Sequence, residues 1–144
     1  MVLFLALLAH PLELSNMPVP STITIADATP TNHDFFPVTK NAAGTWLLLN
    51  REAVTAAGAP RLELGFSLAN RNRATDKVHV KFVHPFEAEV DGVTVVQSTP
   101  LFDGNFVIPA DLTVAQRERF AKMAANVVMH AIIQAMIKSR DPMY

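Results

Sequence analysis

Polar and apolar positions alternate with a period of two from residue 22 onward, and near residue 113 the period lengthens to 3.6. Thr22 to Ala26 alternates, a polar turn from Asp27 to His33 follows, and Phe35 to Lys40 resumes the alternation. This predicts a hairpin whose second strand lies at an edge, because Pro37 has no N–H to give a ladder. Gly44 to Arg51 is the next predicted strand. Beyond the Gly58-Ala-Pro60 punctuation, Leu62, Leu64, Phe66 and Leu68 fall on one face and Arg61, Glu63, Gly65 and Ser67 on the other. After a polar loop from Asn70 to Asp76, Val78, Val80 and Phe82 alternate with Lys77, His79 and Lys81 up to Pro85. Asp91-Gly92 signals a tight turn before the strand Val93 to Ser98, and Leu101 to Ile108 is the last strand, closed by Pro109. Seven short strands with hairpin-scale connections predict an antiparallel meander buried on one face.

Thr113-Val-Ala-Gln116 has the form of a capping box, and neither Gly nor Pro occurs from Val114 to Lys138. The prediction is one long helix or two joined at a kink, ending in basic residues before Pro142. No charged residue lies between Met123 and Ile137, and on a straight helix Asn126, His130 and Gln134 make one narrow stripe. Apolar side chains then cover about 240° of the circumference, where a surface helix needs only ~100°. A helix of about 25 residues is ~38 Å long. Five strands at ~4.8 Å spacing cover only ~24 Å. Unless it breaks and folds back to cover its own sheet as a kinked pair, the helix overhangs that sheet and calls for a second copy of the chain. Phe120, Met123, Val127, Val128, Ala131, Ile132 and Met136, with Phe106 on the last strand, are the expected dimer contacts.

The fold class is α+β: an N-terminal β-hairpin plus a five-stranded antiparallel meander sheet, then a C-terminal helix or kinked helix pair packed on the sheet and on a dimer partner. Residues 1–16 are almost wholly apolar at their start and lack the positive n-region of a signal peptide. They read as an apolar extension or alternative-start segment, and a chain begun at Met17 is expected to assemble as well. Residues 17–144 form a single domain: hairpin 17–43, sheet 44–109 and helical region 110–144.

Composition narrows the chemistry. Half of the 144 residues are hydrophobic and 17% are charged, so a packed core is within reach and global disorder is excluded. Twelve Lys and Arg against thirteen Asp and Glu give a net charge of −1, so bulk charge makes no case for nucleic acid. The local balance differs: residues 51–81 hold six basic groups against three acids. A polar-basic sheet face carrying Arg61, Lys77, His79 and Lys81 can hold phosphates electrostatically, with Arg51, Arg71 and Arg73 as further basic candidates. No cysteine is present, which removes disulfides, thiol catalysis and thiolate metal sites. No run of consecutive apolar residues reaches the ~18 of a membrane span. The five histidines show no metal spacing, and no nucleophile elbow, phosphate loop or zinc-protease motif occurs, so no catalytic residue, metal or cofactor is expected.

The order of these elements resembles the coat proteins of single-stranded RNA bacteriophages, the levivirus-like family, from about Gly44 to Tyr144. Trp46 stands where the family's third strand often has a Trp. Lys77 to Pro85 is similar to the central strand with its alternating Lys residues, Gly92 to Val95 to the next strand, and Phe106 to Pro109 to the strand end before the helices. Asp141 to Tyr144 closes the chain with Tyr, as in many members. The resemblance implies a structural protein, not an enzyme. Its dimers join two sheets edge to edge, interlock their helices and build a small icosahedral T=3-type shell around single-stranded genomic RNA. It further implies a virion location, assembly in the bacterial host cytoplasm, no membrane and no small-molecule substrate. In related proteins the dimer also binds an RNA hairpin and represses translation. The RNA-lining positions fall on Glu63, Gly65, Ser67, Lys77, His79, Lys81, Leu101 and Asp103, which Arg61 broadens. Lys77 and Lys81 match the family pattern. Glu63, Leu101 and Asp103 replace a neutral polar group, an aromatic stacker and an amide. The alternative is a non-viral dimeric α+β binding module with a ligand or partner on the open sheet face, and particle size separates the two.

Overall fold

The computed structural model describes residues 20–29 and 31–140. The expected extension 1–16, the start at Met17 and the closing residues 141–144 lie outside them. Among the described residues, eight strands and two helices follow one another. They are β1 (Ile23–Ala26), β2 (Asn32–Lys40), β3 (Trp46–Leu49), β4 (Arg61–Ser67), β5 (Thr75–Val83), β6 (Phe86–Val90), β7 (Val93–Ser98), β8 (Leu101–Pro109), α1 (Val114–Val128) and α2 (Ala131–Ser139). The hairpin, sheet and helical region thus occur in the predicted order.

One sheet has the strand order β1-β2-β3-β4-β5-β8, all pairs antiparallel. β2 is not the edge strand that Pro37 predicts, because it serves two partners in turn: Asn32 to Phe35 pair with β1, and Phe36 to Lys40 pair with β3. Its register slips between Pro37 and Thr39, where the missing proline N–H makes a bulge natural. The polar turn is shorter than the sequence pattern predicts, since Asn32 and His33 already pair. Gly44, Thr45, Asn50 and Arg51 fall outside β3.

The chain is not a simple meander after β5. β6 and β7 form a separate two-stranded sheet, and β8 returns to pair with β5 along its whole length. Phe86, Ala88 and Val90 alternate with Glu87 and Glu89, yet Pro85 reads as a strand end, so the sequence pattern predicts no eighth strand there. Asp91 and Gly92 both have positive φ, 52° and 77°, as a type I′ hairpin turn requires.

The core is thin. Among the described residues Phe35, Leu48, Leu62 and Val83 are the buried apolar side chains apart from Pro60 and Pro85. Phe35, Leu48 and Leu62 form its centre, with Ile23, Trp46, Leu64, Val80 and Phe82 half-buried around them. Phe35 meets Phe82 edge to face at 5.9 Å.

Helix α1 starts as the capping box predicts. Gln116 N–H donates to the Thr113 hydroxyl at 3.3 Å, and Thr113 N–H donates to the Gln116 side chain at 2.9 Å. The helix then breaks at Met129-His130 without Gly or Pro. His130 N-caps α2, its Nδ1 accepting the Ile132 N–H at 3.3 Å. Gln134 reaches back and donates to the Val128 carbonyl at 3.1 Å. These bonds satisfy backbone groups that a break exposes. His130 and Gln134 therefore do not extend a solvent stripe with Asn126, as a straight helix would have them; they stabilise the two new ends.

Neither helix buries a residue within the protomer. Contact with the sheet includes an edge-to-face approach of Phe120 to Phe106 at 6.4 Å. Taken together, Val114–Ser139 is long and apolar enough to cross a membrane by length and composition, which a count of consecutive apolar residues does not reveal.

Candidate nucleic-acid interface

Register decides which side chains of β4, β5 and β8 share a face. Leu62 pairs with Phe82 and Phe82 with Phe102; Leu64 pairs with Val80, and Phe66 with Val78. These apolar rows make one side of the sheet. On the other side, Glu63, Lys81 and Asp103 form one row, and Gly65, His79 and Asn105 the next. Ser67, Lys77 and Val107 form a third, and Arg61, Val83 and Leu101 lie at the end. All nine expected RNA-facing residues, Arg61, Glu63, Gly65, Ser67, Lys77, His79, Lys81, Leu101 and Asp103, are thus brought together.

The rows also reveal pairing that no spacing along the chain shows. Lys81 Nζ lies 3.8 Å from the directly opposite Glu63 carboxylate. His79 Nε2 lies 2.9 Å from Asp103 Oδ1 on the diagonal. A uniform basic track of Lys77, His79 and Lys81 is therefore not present: two of its three members face carboxylates. Lys77 is exposed between Ser67 and Val107, and neither it nor Arg61 makes an ion pair among the described residues. The field of the face is carried by Lys77 and Arg61, with Lys81 partly neutralised. At Gly65 an added Cβ would stand 3.0 Å from the Thr45 hydroxyl and 3.4 Å from His79 Cβ, so glycine keeps a shallow dip beside His79. Leu101, 61% exposed, puts an apolar patch at the end of the face.

The secondary basic candidates divide. Arg73 is absorbed by its own loop, where its guanidinium donates to the Thr75 and Ser67 carbonyls at 2.8 and 3.0 Å, to the Ser67 hydroxyl and to the Leu68 carbonyl. Asp76 steadies the same connection by accepting the Ala69 N–H at 2.7 Å. Arg51 lies 5.8 Å from the Phe36 ring, a cation–π distance, and Arg71 is exposed at the loop tip.

Away from this face lies a set of ionic contacts that sequence reasoning missed. His33 bridges two carboxylates, Glu52 at Nδ1 (2.6 Å) and Asp27 at Nε2 (3.2 Å). Glu52 and Asp27 hold the imidazole above its ordinary value. Asp27 is pushed well below the usual carboxylate range, first by the Thr29 hydroxyl and then by His33; His33 likewise lowers Glu52. These residues border a cavity of about 570 Å³ that Phe35, Phe82 and Phe86 also line. Separations of six and nineteen residues carry no motif, so only the fold brings them together. Among the described residues no group of three His, Asp or Glu side chains could hold a metal.

The sheet thus has one polar face and an apolar opposite face, and the apolar surfaces of the two C-terminal helices lie uncovered in the protomer. Residues 18–144 match the levivirus coat protein family, and the chain belongs to that family. Solved structures agree in fold. A virus-like particle of Beihai levi-like virus 21 superposes with a TM-score of 0.81 at 21% identity, over 88% of this chain and 99% of that one. A virus-like particle of bacteriophage ESE058 gives 0.74 at 27%, over 88% and 100%. The bacteriophage GA protein capsid gives 0.70 at 19%, over 86% and 97%. No curated protein sequence matches significantly. The protein is a structural capsid subunit of the virion that self-assembles into a shell, and it is not an enzyme.

Proposed function

We propose that this coat protein works as a homodimer whose sheets join along β8 and whose helices cross over the partner. In this reading its polar sheet face holds packaged single-stranded RNA inside a small icosahedral T=3-type shell. The observation that carries the reading is the state of α1 and α2. Val127 is 62% exposed, Met123 58%, Ile132 47% and Val128 43% in the protomer. Helices that bury nothing in their own chain are covered by another. β8 ends the strand order, and a nine-residue edge strand left open is a template for pairing. Phe106, Phe120, Ala131 and Met136 continue the same surface. An apolar surface of this kind also suits a lipid bilayer, but the break at Met129-His130 and membership of a shell-forming family favour protein.

RNA contact rests on Lys77 and Arg61, with Lys81 and His79 modulated by Glu63 and Asp103. Phosphate neutralisation of this kind is sequence-independent. The two carboxylates in the middle of the face oppose phosphate, so packaging is supported better than tight recognition of one operator hairpin. Assembly in the bacterial host cytoplasm belongs to the same proposal. The test is electron microscopy of the expressed protein with nuclease-protected RNA measured in the particles. Shells tens of nanometres across that contain RNA are expected. Empty shells overturn the RNA role, and shells built from subunits that never pair in solution overturn the dimer.

A further inference from the structure

The β6–β7 hairpin shares no ladder with the six-stranded sheet. Two-stranded hairpins are marginal on their own in water, so something must hold this one. At its base His84 N–H donates to the Pro100 carbonyl at 3.1 Å, and the His84 ring stands 4.8 Å from that of Phe86. A further tie is Glu87. Its carboxylate accepts the Val54 N–H at 3.0 Å, the Thr55 N–H at 2.9 Å and the Thr55 hydroxyl. The Thr55 hydroxyl oxygen accepts the Gly58 N–H at 3.0 Å, closing the turn around the carboxylate. A Cβ at Gly58 would lie 2.1 Å from Glu87 Oε1, so a side chain there would collide with the clasp. Those bonds, the Thr55 hydroxyl first, keep the Glu87 carboxyl below its ordinary value and hence ionised.

The hairpin so held carries Phe86, Val90 and Val93 at 52, 53 and 60% exposure. Apolar side chains at this density on a projecting element need cover, and in a shell-forming protein the cover at hand is a second copy of this chain. We infer that Glu87 is a positioning residue for assembly, its clasp on the 54–58 turn setting the direction in which the β6–β7 hairpin meets a neighbouring subunit. This rests on self-assembly of the chain into a shell.

Glu87→Gln keeps the shape and removes charge and one acceptor, while Thr55→Val loosens the clasp from the loop side without touching the hairpin. Both should leave circular dichroism and subunit size unchanged, raise amide hydrogen exchange at Val54, Thr55 and along β6–β7, and lower particle yield about tenfold or change particle diameter. Glu87→Asp should rescue partially. Unchanged exchange overturns the clasp. Faster exchange with wild-type yield and diameter overturns its role in assembly. Failure of the wild type to form particles overturns the assembly reading itself, and the exchange arm still decides the clasp.

Discussion

Val127→Asp separates a helix that faces solvent from one that faces a partner. In the protomer Val127 is 62% exposed and lies one residue before the end of α1. Were that its final environment, the change would cost only a few tenths of a kcal/mol in helix propensity, within the ±0.5 kcal/mol usual at surfaces. Buried against a second copy, an unpaired carboxylate costs about 3–5 kcal/mol. A two-fold dimer contains the position twice, so the penalty is roughly 6–10 kcal/mol per dimer, or at least ~10⁴-fold in the dissociation constant. The two environments predict effects about tenfold apart in energy. Sedimentation velocity on the purified protein, with electron microscopy of the same samples, reads the difference. The expected result is loss of dimer and particles, with Val127→Thr intermediate because its hydroxyl is uncharged. A Val127→Asp protein that assembles at wild-type yield would refute an intersubunit α1.

Five further outcomes are expected. Lys77→Ala should weaken RNA binding at low salt and flatten the salt slope by about 0.7 for each phosphate no longer neutralised. Lys81→Ala should do less, because Glu63 already opposes its charge, while Glu63→Gln should strengthen binding; equal losses from the two lysine changes would contradict the Lys81–Glu63 pairing. Thr113→Ala should cost about 1 kcal/mol through the lost cap, read as a fall of a few degrees in Tm, and no change would mean α1 starts without its box. For His33 the folded value is raised, so its contribution is complete below the unfolded value of 6.5 and fades as pH rises through the folded one. The Tm gap between wild type and His33→Ala should therefore be larger at pH 6 than at pH 9, and a gap that widens with alkalinity would reverse the assignment.

The legibility of this chain follows the range of the interactions. Alternation from Arg61 to Ser67 and from Lys77 to Phe82 is a local signal, and it sorts the polar and apolar faces as the register places them. The capping box is local too, and Thr113 caps α1 as its spacing predicts. The charge state of the face is not local. Whether Lys81 is free depends on Glu63 standing opposite it, and whether His79 is free depends on β8, not β7, pairing with β5. The break at Met129-His130 has no Gly or Pro to announce it. Its signal, a histidine able to cap and a glutamine four residues on, is one that many uninterrupted helices also contain. His33 with Glu52 and Glu87 with Thr55 join residues nineteen and thirty-two apart, and nothing short of the fold could align them.

The break bears on how folding and assembly are linked. α2 has nine residues, below the ~12–15 at which an isolated helix is even marginal in water. Its His130 cap and the Gln134 bond each contribute on the order of 1 kcal/mol, less than the cost of ordering nine backbones at about 1–2 kcal/mol apiece. Its own hydrogen bonds offset part of that cost, and burial must supply the rest. Yet Ile132, Met136 and Ile137 remain 47, 36 and 69% exposed in the protomer. Full burial of such a side chain stabilises by about 1.5–3 kcal/mol, so much of the driving force for α2 is still unspent until another surface covers it. The same holds for α1 through Met123, Val127 and Val128. In the proposed pairing the helical region is therefore stabilised by what it meets more than by what it is made of. Ordering the helices and joining two chains then become a single event, which makes the stability of this subunit inseparable from its concentration.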